Sequence, residues 1–472
     1  MKNIILIVLI LVVTLSFGQT EKAENKVITE KFVENYNNDD YDGIFSMFAD
    51  VMKDALPIDK TTEFLKGLKS QAGNISNREF IKYENGTYAS YKTTFERAVF
   101  VLNISIDDNS EVNGLFVKPF VEEVNVENVI NNLTIKNGLI TKEQSEIIFE
   151  STNIFPNNTQ VSIAIIKDGK VSYFGINKGS DTISTIDNQK SVFEIGSISK
   201  VFTSTLLANF VIEGKVKLND NINSYLKTPL NNNTKISFTD LANHTSGLPR
   251  LPTNLDLTKV NLENPYKEYK EGELKEYLTK YLELSNKGEN QYSNLGAGLL
   301  SYTLSKIENV TYESLLQNKI FSKYNMQNST ADITKIKGNL VRGLNNEGIE
   351  VPNWEFSVLA GAGAIFSTVQ DLSQFAISQF DYSNKELKLT RVKTFELNKN
   401  MDIGLGWHIL KSQSKNLWYW HNGGTGGYSS SMVIDEKSKN GIIILSNVSA
   451  FNPNMGNIDK LCFELMKTLE KE

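Results

Sequence analysis

Apolar segments of strand length lie at both ends of a long region that otherwise has helical patterning. Residues 161–166 and 171–176 flank Asp168-Gly169, a pair that favours a type I′ turn, and residues 441–446 form another apolar strand. Residues 197–212, 296–307 and 458–469 have the spacing of helices. The sequence therefore predicts a sheet whose neighbouring strands are distant along the chain.

The residues before this region have a different pattern. Apolar residues recur at helical spacing from 21 to 68, which predicts three helices, and strand-like runs follow at 87–95, 98–106 and 112–120. At 472 residues the chain exceeds what one hydrophobic core usually organises. We therefore predict a small α+β domain over 21–122 and a larger domain over 126–472, with an Asn-rich, acidic boundary between them.

The first residues are typical of an export signal. Lys2 precedes an unbroken apolar run over 4–13, and Ser16 and Gly18 offer small residues at a cleavage site. About 20 apolar residues are needed to span a bilayer, so a membrane anchor is the less favoured alternative. We predict a signal peptide over 1–18 and a secreted or periplasmic protein without a membrane span after cleavage.

Composition argues against several classes of function. The net charge is -6 without a basic stripe, which argues against nucleic acid as a partner. With a single cysteine, Cys462, the chain forms no internal disulfide, and a total of three histidines argues against a histidine-rich metal site. The glycine cluster at 423–427 has no βαβ pattern around it, so it does not predict a dinucleotide site. We expect no cofactor and no metal.

A serine followed three residues later by a lysine places hydroxyl and amine on one helix face, where the amine can take the hydroxyl proton. This pattern occurs at Ser197/Lys200, at 224/227 and at 412/415. Only the first pair lies in an apolar helix, where desolvation would lower the pKa of the amine. An N-cap serine beside a lysine that extends to solvent is the alternative.

A second candidate group is Tyr292-Ser293-Asn294, which leads into a glycine-containing apolar helix. Other Tyr-x-Asn segments exist, and the one at 382 lies in a polar stretch that predicts a surface turn. Tyr292 is therefore the tyrosine that we expect to accompany Ser197 and Lys200.

At this point the chain resembles the serine β-lactamase and penicillin-binding-protein superfamily, and within it the class C and esterase-like branch. The resemblance rests on ordered motifs at 193–200, 244–248, 292–294, 361–372, 404–407 and 421–424. It implies an antiparallel sheet flanked by helices, an all-helical subdomain and an acyl-serine mechanism. The amino-terminal unit resembles the cone-shaped NTF2-like accessory domains, with three helices against a curved sheet.

The resemblance also implies roles for individual residues. Ser197 is the nucleophile, Lys200 and Tyr292 carry protons, and Asn294 orients the lysine and the substrate amide. The substrate-binding strand is implied at His421, Gly423 and Gly424, with the backbone amides of Ser197 and Gly424 as the oxyanion hole.

The third motif departs from the Lys-Thr-Gly of many penicillin-recognising members, because this chain has His421-Asn422-Gly423. Histidine is mostly neutral at pH 7, so it would hold a substrate carboxylate less firmly than lysine. This position resembles the esterase and D-amino-acid peptidase members; packing beside Trp420 is the alternative role. His244 tempts assignment as a second base, but we expect it to have a structural role where a helix over 239–243 ends and Gly247 takes a left-handed conformation.

These features predict a secreted serine hydrolase that acts on ester or amide substrates, such as peptidoglycan-like D-amino-acid peptides or β-lactams, with possible cell-wall association. The alternative is a slow or non-catalytic sensor of wall peptides or penicillins. The presence of both proton carriers favours the enzyme.

Overall fold

The computed structural model describes residues 20–84, 87–120, 129–135, 139–336, 338–412 and 415–470. The described residues fall into two compact units, which divide between positions 122 and 123. The predicted signal peptide and most of the predicted boundary, 121–128, lie outside the described residues.

The first unit consists of helices followed by an antiparallel sheet of order β1-β2-β3-β4. Its elements are α1 (Ala23–Asn37), α2 (Tyr41–Ser46), α3 (Asp50–Ala55), α4 (Ile58–Ala72), β1 (Ile75–Glu84), β2 (Tyr88–Phe95), β3 (Val99–Ile106) and β4 (Val112–Pro119). Two short helices, α2 and α3, occupy the stretch where the sequence predicted one. Strand β1 was missed because half of its ten side chains are exposed and most of those are polar, so the sequence lacks the regular apolar alternation that marks a strand.

The second unit contains the remaining elements. Its strands are β5 (Ile130–Asn132), β6 (Gln160–Lys167), β7 (Lys170–Lys178), β8 (Thr182–Ile186), β9 (Phe193–Glu194), β10 (Gly343–Leu344), β11 (Glu350–Val351), β12 (Phe366–Ser367), β13 (Phe395–Asn398), β14 (Met401–Ile403), β15 (His408–Lys411), β16 (Leu417–Gly424), β17 (Ser429–Asp435) and β18 (Asn440–Ser446). Its helices are α5 (Lys142–Thr152), α6 (Ser199–Ile212), α7 (Phe238–Ala242), α8 (Glu271–Glu276), α9 (Asn294–Glu308), α10 (Tyr312–Leu316), α11 (Val369–Ser378), α12 (Lys385–Thr390) and α13 (Gly456–Thr468).

Ten of these strands form one sheet in the order β13-β14-β15-β16-β17-β18-β6-β7-β8-β5. Strand β18 pairs with β6, so that Ile443 lies opposite Ala164 although about 280 residues of chain separate them. The predicted pairing of strands distant in sequence is confirmed. The sheet is antiparallel except at its edge, where β5 pairs with β8 in parallel.

The turn between β6 and β7 has the predicted conformation. Asp168 has φ 49° and Gly169 has φ 76°, and a type I′ turn requires positive φ at both central residues. The hairpin therefore fixes the register in which Ile166 faces Val171.

The large sheet is buried on both faces. On one face, Ile443 and Leu445 join the core around α6, whereas Ile442 and Ile444 join the core beneath α13. Helix α6 is buried around most of its circumference, in agreement with its nearly continuous apolar sequence. A side chain that leaves α6 near its first turn is thus held in a rigid, dry environment.

The described residues include no helix that is both long and apolar enough to cross a membrane.

Burial of both faces of the sheet predicts that Ile443→Ala and Ile444→Ala each destabilise the protein by about 2–5 kcal/mol. Ile349→Ala removes the same atoms from a side chain that is 58% exposed, and it should cost much less. Urea unfolding of the three variants measures this. A small loss for either Ile443→Ala or Ile444→Ala would contradict two-sided burial.

Candidate active site

Ser197 lies in a 3₁₀ turn, Gly196–Ile198, between strand β9 and helix α6. Gly196 has φ +50°, and a Cβ atom there would come within 2.5 Å of the backbone nitrogen of Gly424. Only glycine satisfies both constraints, so the turn lies directly against the end of β16. The half-buried side chain of Ser197 is thereby placed beside the Gly424 backbone.

Lys200 contacts Ser197 from the next turn of the helix. Its Nζ donates to Ser197 Oγ at 2.9 Å and to the carbonyl oxygen of Ala362 at 2.7 Å. The lysine is 2% exposed, and burial lowers its pKa well below the ordinary value, an effect to which the nearby charge of Arg250 adds. The amine is therefore neutral over more of the pH range than a solvated lysine is.

The other two Ser-x-x-Lys pairs lack this environment. Lys227 and Lys415 are exposed, as the sequence predicted, and Ser224 is exposed as well. The contrast identifies burial of the amine as the property that separates Ser197 from the other two serines.

The carbonyl that holds Lys200 belongs to a 3₁₀ segment, Ser357–Ala362, which is clamped between two helices. Thr203 Oγ1 of α6 donates to the carbonyl of Gly361 at 2.9 Å, and the amide of Gly361 donates to Ser301 Oγ of α9 at 3.0 Å. The position of the lysine therefore depends on packing between α6 and α9.

Tyr292 lies beside the same amine, with Lys200 Nζ 4.8 Å from the centroid of its ring. Burial raises the pKa of Tyr292 to about 12, although a hydrogen bond with Ser197 and the charge of Arg250 act in the opposite direction. The tyrosine is therefore a neutral phenol at rest. It is able to accept a proton at its oxygen while donating its own.

The His244 ring packs against the Tyr292 ring. The ring centroids are 4.5 Å apart, and His244 Nδ1 accepts from the backbone amide of Ser293 at 3.2 Å. Burial lowers the pKa of His244 to about 3. His244 therefore has a structural role beside the tyrosine, as the sequence predicted. Gly247 was predicted to be left-handed after this helix, but His244 is already left-handed, with φ 63°.

Asn294 begins helix α9 and is buried. Its Nδ2 donates to Tyr266 Oη at 3.2 Å, whereas its Oδ1 has no hydrogen-bond partner among the described residues. The contact with Lys200 that the resemblance implied is thus not formed, because the Ala362 carbonyl holds the amine instead. The free carbonyl oxygen of Asn294 remains available to an amide donor of a substrate.

His421 lies on β16 and is 2% exposed. Its ring is 5.4 Å from the ring of His408 and 6.5 Å from the ring of Tyr292, and its Nδ1 is 2.6 Å from the carbonyl oxygen of Asn422. Burial, with the charges of His408 and Lys200, lowers the pKa of His421 well below its ordinary value. Histidine at this position is therefore neutral, which strengthens the prediction made from its side-chain type.

Gly423 allows the strand to approach the nucleophile. A Cβ atom there would lie 2.1 Å from the carbonyl oxygen of Ile195 and 2.9 Å from the backbone nitrogen of Ser197. Both predicted glycines, Gly423 and Gly424, thus lie against the turn that carries Ser197. This proximity brings together the backbone of Ser197 and that of Gly424.

Sequence reasoning missed several groups. Ala362 lies within the motif at 361–372, and Arg250 lies two residues after the motif at 244–248. The motifs therefore pointed to both regions, but the sequence predicted no role for either residue. Glu194, whose pKa burial raises to about 7, accepts from Asn353 Nδ2 at 2.7 Å behind the nucleophile turn. No sequence pattern distinguishes such a carboxylate from an exposed one. Among the described residues, no three His, Cys, Asp or Glu side chains group as metal ligands would.

Comparison with known families and proteins agrees with this arrangement. The profile of the Beta-lactamase family matches residues 157–461, and that of a family of unknown function, DUF3887, matches residues 29–115. NTF2-like character of the amino-terminal unit stays a prediction.

Curated relatives include penicillin-binding protein 4* of Bacillus subtilis, which is 27% identical over 54% of this chain and 61% of the relative. The D-alanyl-D-alanine-carboxypeptidase/endopeptidase AmpH of Escherichia coli is 25% identical over 58% of this chain and 76% of the relative. The chain spans between 52% and 61% of the length of the first three relatives.

Solved structures show the same fold. The octameric penicillin-binding protein homologue of Pyrococcus abyssi has a TM-score of 0.57 at 21% identity, covering 70% of this chain and 77% of the other. The beta-lactamase/D-alanine carboxypeptidase of Pseudomonas syringae has a TM-score of 0.55 at 19% identity, covering 68% and 96%. With a family profile that matches well over half of its residues, the chain belongs to the Beta-lactamase family.

Proposed function

We propose that this protein is a serine hydrolase that cleaves esters or amides through an acyl intermediate on Ser197. The observation that carries the proposal is the 2.9 Å contact between Lys200 Nζ and Ser197 Oγ, made by an amine that is 2% exposed. Burial lowers the pKa of this lysine and so favours the neutral amine that can act as a base, and a serine hydroxyl needs such a base to act as a nucleophile.

In the first step, Ser197 Oγ attacks the substrate carbonyl carbon while its proton passes to Lys200. The pKa directions support these roles, since burial shifts Lys200 towards its neutral form whereas it holds the proton on Tyr292. Tyr292, which hydrogen-bonds Ser197, then relays a proton to the departing group as the tetrahedral intermediate collapses. Water releases the acyl group by the reverse sequence.

The developing oxyanion needs donors placed in advance. The close approach of Gly423 to Ser197 and of Gly196 to Gly424 supports the backbone amides of Ser197 and Gly424 as these donors. The Oδ1 of Asn294, which has no hydrogen-bond partner among the described residues, is suited to accept a hydrogen bond from an amide of the substrate. The buried His421 side chain adds an uncharged surface to the site.

The class of substrate follows from the same groups and from the relatives. Penicillin-binding proteins and a D-alanyl-D-alanine carboxypeptidase are similar to this chain, which supports peptides ending in D-amino acids, or related esters, as substrates. We further propose export through the signal over 1–18, association with the cell wall, and a division into an accessory domain over 21–122 and a hydrolase domain over 126–472.

Ser197→Ala should abolish covalent labelling by a fluorophosphonate or a fluorescent penicillin, because the attacking oxygen is removed. Ser224→Ala, Ser246→Ala and Ser412→Ala make the same change outside the nucleophile position and should leave labelling intact. Gel fluorescence of the four variants measures this. Labelling that survives in Ser197→Ala would end the proposal, whereas rapid labelling with negligible turnover of every ester offered would favour a sensor.

Lys200→Ala and Tyr292→Phe should each lower the acylation rate by at least ~10²-fold while thermal unfolding stays cooperative. Lys178→Ala is the matched control, since Lys178 is also buried, with a pKa lowered by burial, but bonds to Asn157 rather than to a serine. Stopped-flow acylation rates distinguish the variants. If Lys178→Ala slows acylation as much as Lys200→Ala, the lysine effect is structural.

The pH profile of kcat/KM should lack an ionisation of His421 near the ordinary value of about 6.5, because burial keeps this histidine neutral. An acid limb should arise instead where Lys200 gains a proton, and no basic limb should come from Tyr292 below about pH 10, since its pKa is near 12. His421→Gln should preserve the shape of the profile from about pH 5 to 9. Loss of an ionisation near pH 6.5 in that variant would show that His421 titrates during catalysis.

A further inference from the structure

Arg250 lies at the mouth of the site with an anchored backbone and an exposed side chain. Its carbonyl oxygen accepts from the amides of Asn294 at 3.0 Å and Leu295 at 3.2 Å. Its guanidinium carbon is 5.3 Å from the centroid of the Tyr292 ring. The charged group therefore lies over the proposed proton carrier, on a loop segment held by the start of α9.

No carboxylate among the described residues lies within ion-pair distance of this guanidinium. Arg78 and Arg391, by contrast, each have a glutamate partner, at 2.9 Å in both cases. An exposed guanidinium group without an ion-pair partner is suited to bind a carboxylate through two parallel hydrogen bonds.

The three histidines near the site are uncharged at neutral pH, and burial shifts the Lys200 amine towards its neutral form. Burial lowers the pKa of His244 to about 3 and that of His408 to about 4, and it lowers those of His421 and Lys200 as well. Within the described part of the chain, Arg250 is thus the permanent positive charge that acts on the Ser197 site. Because His421 in the third motif is neutral, a different residue has to supply the positive charge that recognises a substrate anion.

We infer that Arg250 selects substrates whose leaving group carries a carboxylate, by pairing its guanidinium with that anion above Tyr292. The leaving-group side is indicated because Tyr292, over which the guanidinium lies, hands a proton to the departing atom in the proposed mechanism. The inference rests on the proposed function. It adds that the leaving group of the substrate is negatively charged and that Arg250 binds this charge.

The test uses two thioesters with the same acyl group, one releasing mercaptoacetate and the other mercaptoacetamide, which replaces the carboxylate with a neutral amide. Arg250→Gln should lower the ratio of kcat/KM for the acid to that for the amide by at least ~10-fold, chiefly through KM. Arg250→Lys, which keeps the charge but not the fork, should retain a larger share of the preference.

Lys170→Gln serves as the control for removing one positive charge. Lys170 is exposed at the end of β6 and β7 that lies away from Gly424, about 20 Å along the sheet. This variant should keep the wild-type ratio. Raising the ionic strength from about 0.01 M to about 1 M should weaken the preference of the wild type and leave the ratio of Arg250→Gln nearly constant, since exposed charges are screened.

The outcomes separate the two claims. If Ser197→Ala abolishes turnover of both thioesters but Arg250→Gln keeps the wild-type ratio, the inference about Arg250 is wrong and the hydrolase remains. If Arg250→Gln slows both thioesters equally, the residue only positions Tyr292, and carboxylate selection is again wrong. If neither thioester is turned over at Ser197, both the hydrolase and the inference are overturned.

Discussion

The site depends on taking the Lys200 amine out of water at the first turn of α6. Desolvation disfavours the ammonium ion, and the two acceptors that the described residues place within hydrogen-bond distance of Nζ are a neutral hydroxyl and a neutral carbonyl, not a carboxylate. A carboxylate in either place would have stabilised the charged form and removed the base. The basicity of Lys200 therefore depends on having neutral hydrogen-bond partners in place of a carboxylate.

The fold provides this environment by joining segments that are far apart in sequence. Strand β18 pairs with β6 across most of the second unit, and the end of β16 approaches the Ser197 turn closely enough that glycine is required at positions 196 and 423. The Ser357–Ala362 segment, clamped between α6 and α9, brings in the carbonyl for the lysine. Each contact is long-range, so loosening any of these elements would readmit water to the amine.

Sequence was informative where chemistry and periodicity are local. Ser197 and Lys200 are neighbours on a helix, and Asp168-Gly169 specifies its turn within two residues, so both were predictable. The Ala362 carbonyl was not, because any residue supplies a carbonyl and only the tertiary fold brings this one to Lys200. Strand β1 was missed for its polar surface, and the extent to which His421 is neutral depends on burial beside His408, which spacing does not encode.

The central claim is that burial lowers the pKa of Lys200 and so favours the neutral amine that can act as a base. NMR titration of ¹³Cε-labelled lysines, with the Lys200 signal assigned by its loss in Lys200→Arg, measures its ionisation directly. We expect a pKa of Lys200 well below the ordinary lysine value of about 10.4, because burial disfavours the ammonium ion. A Lys200 signal that titrates at about 10.4 or above would show a solvated cation beside Ser197 and would contradict a base created by burial.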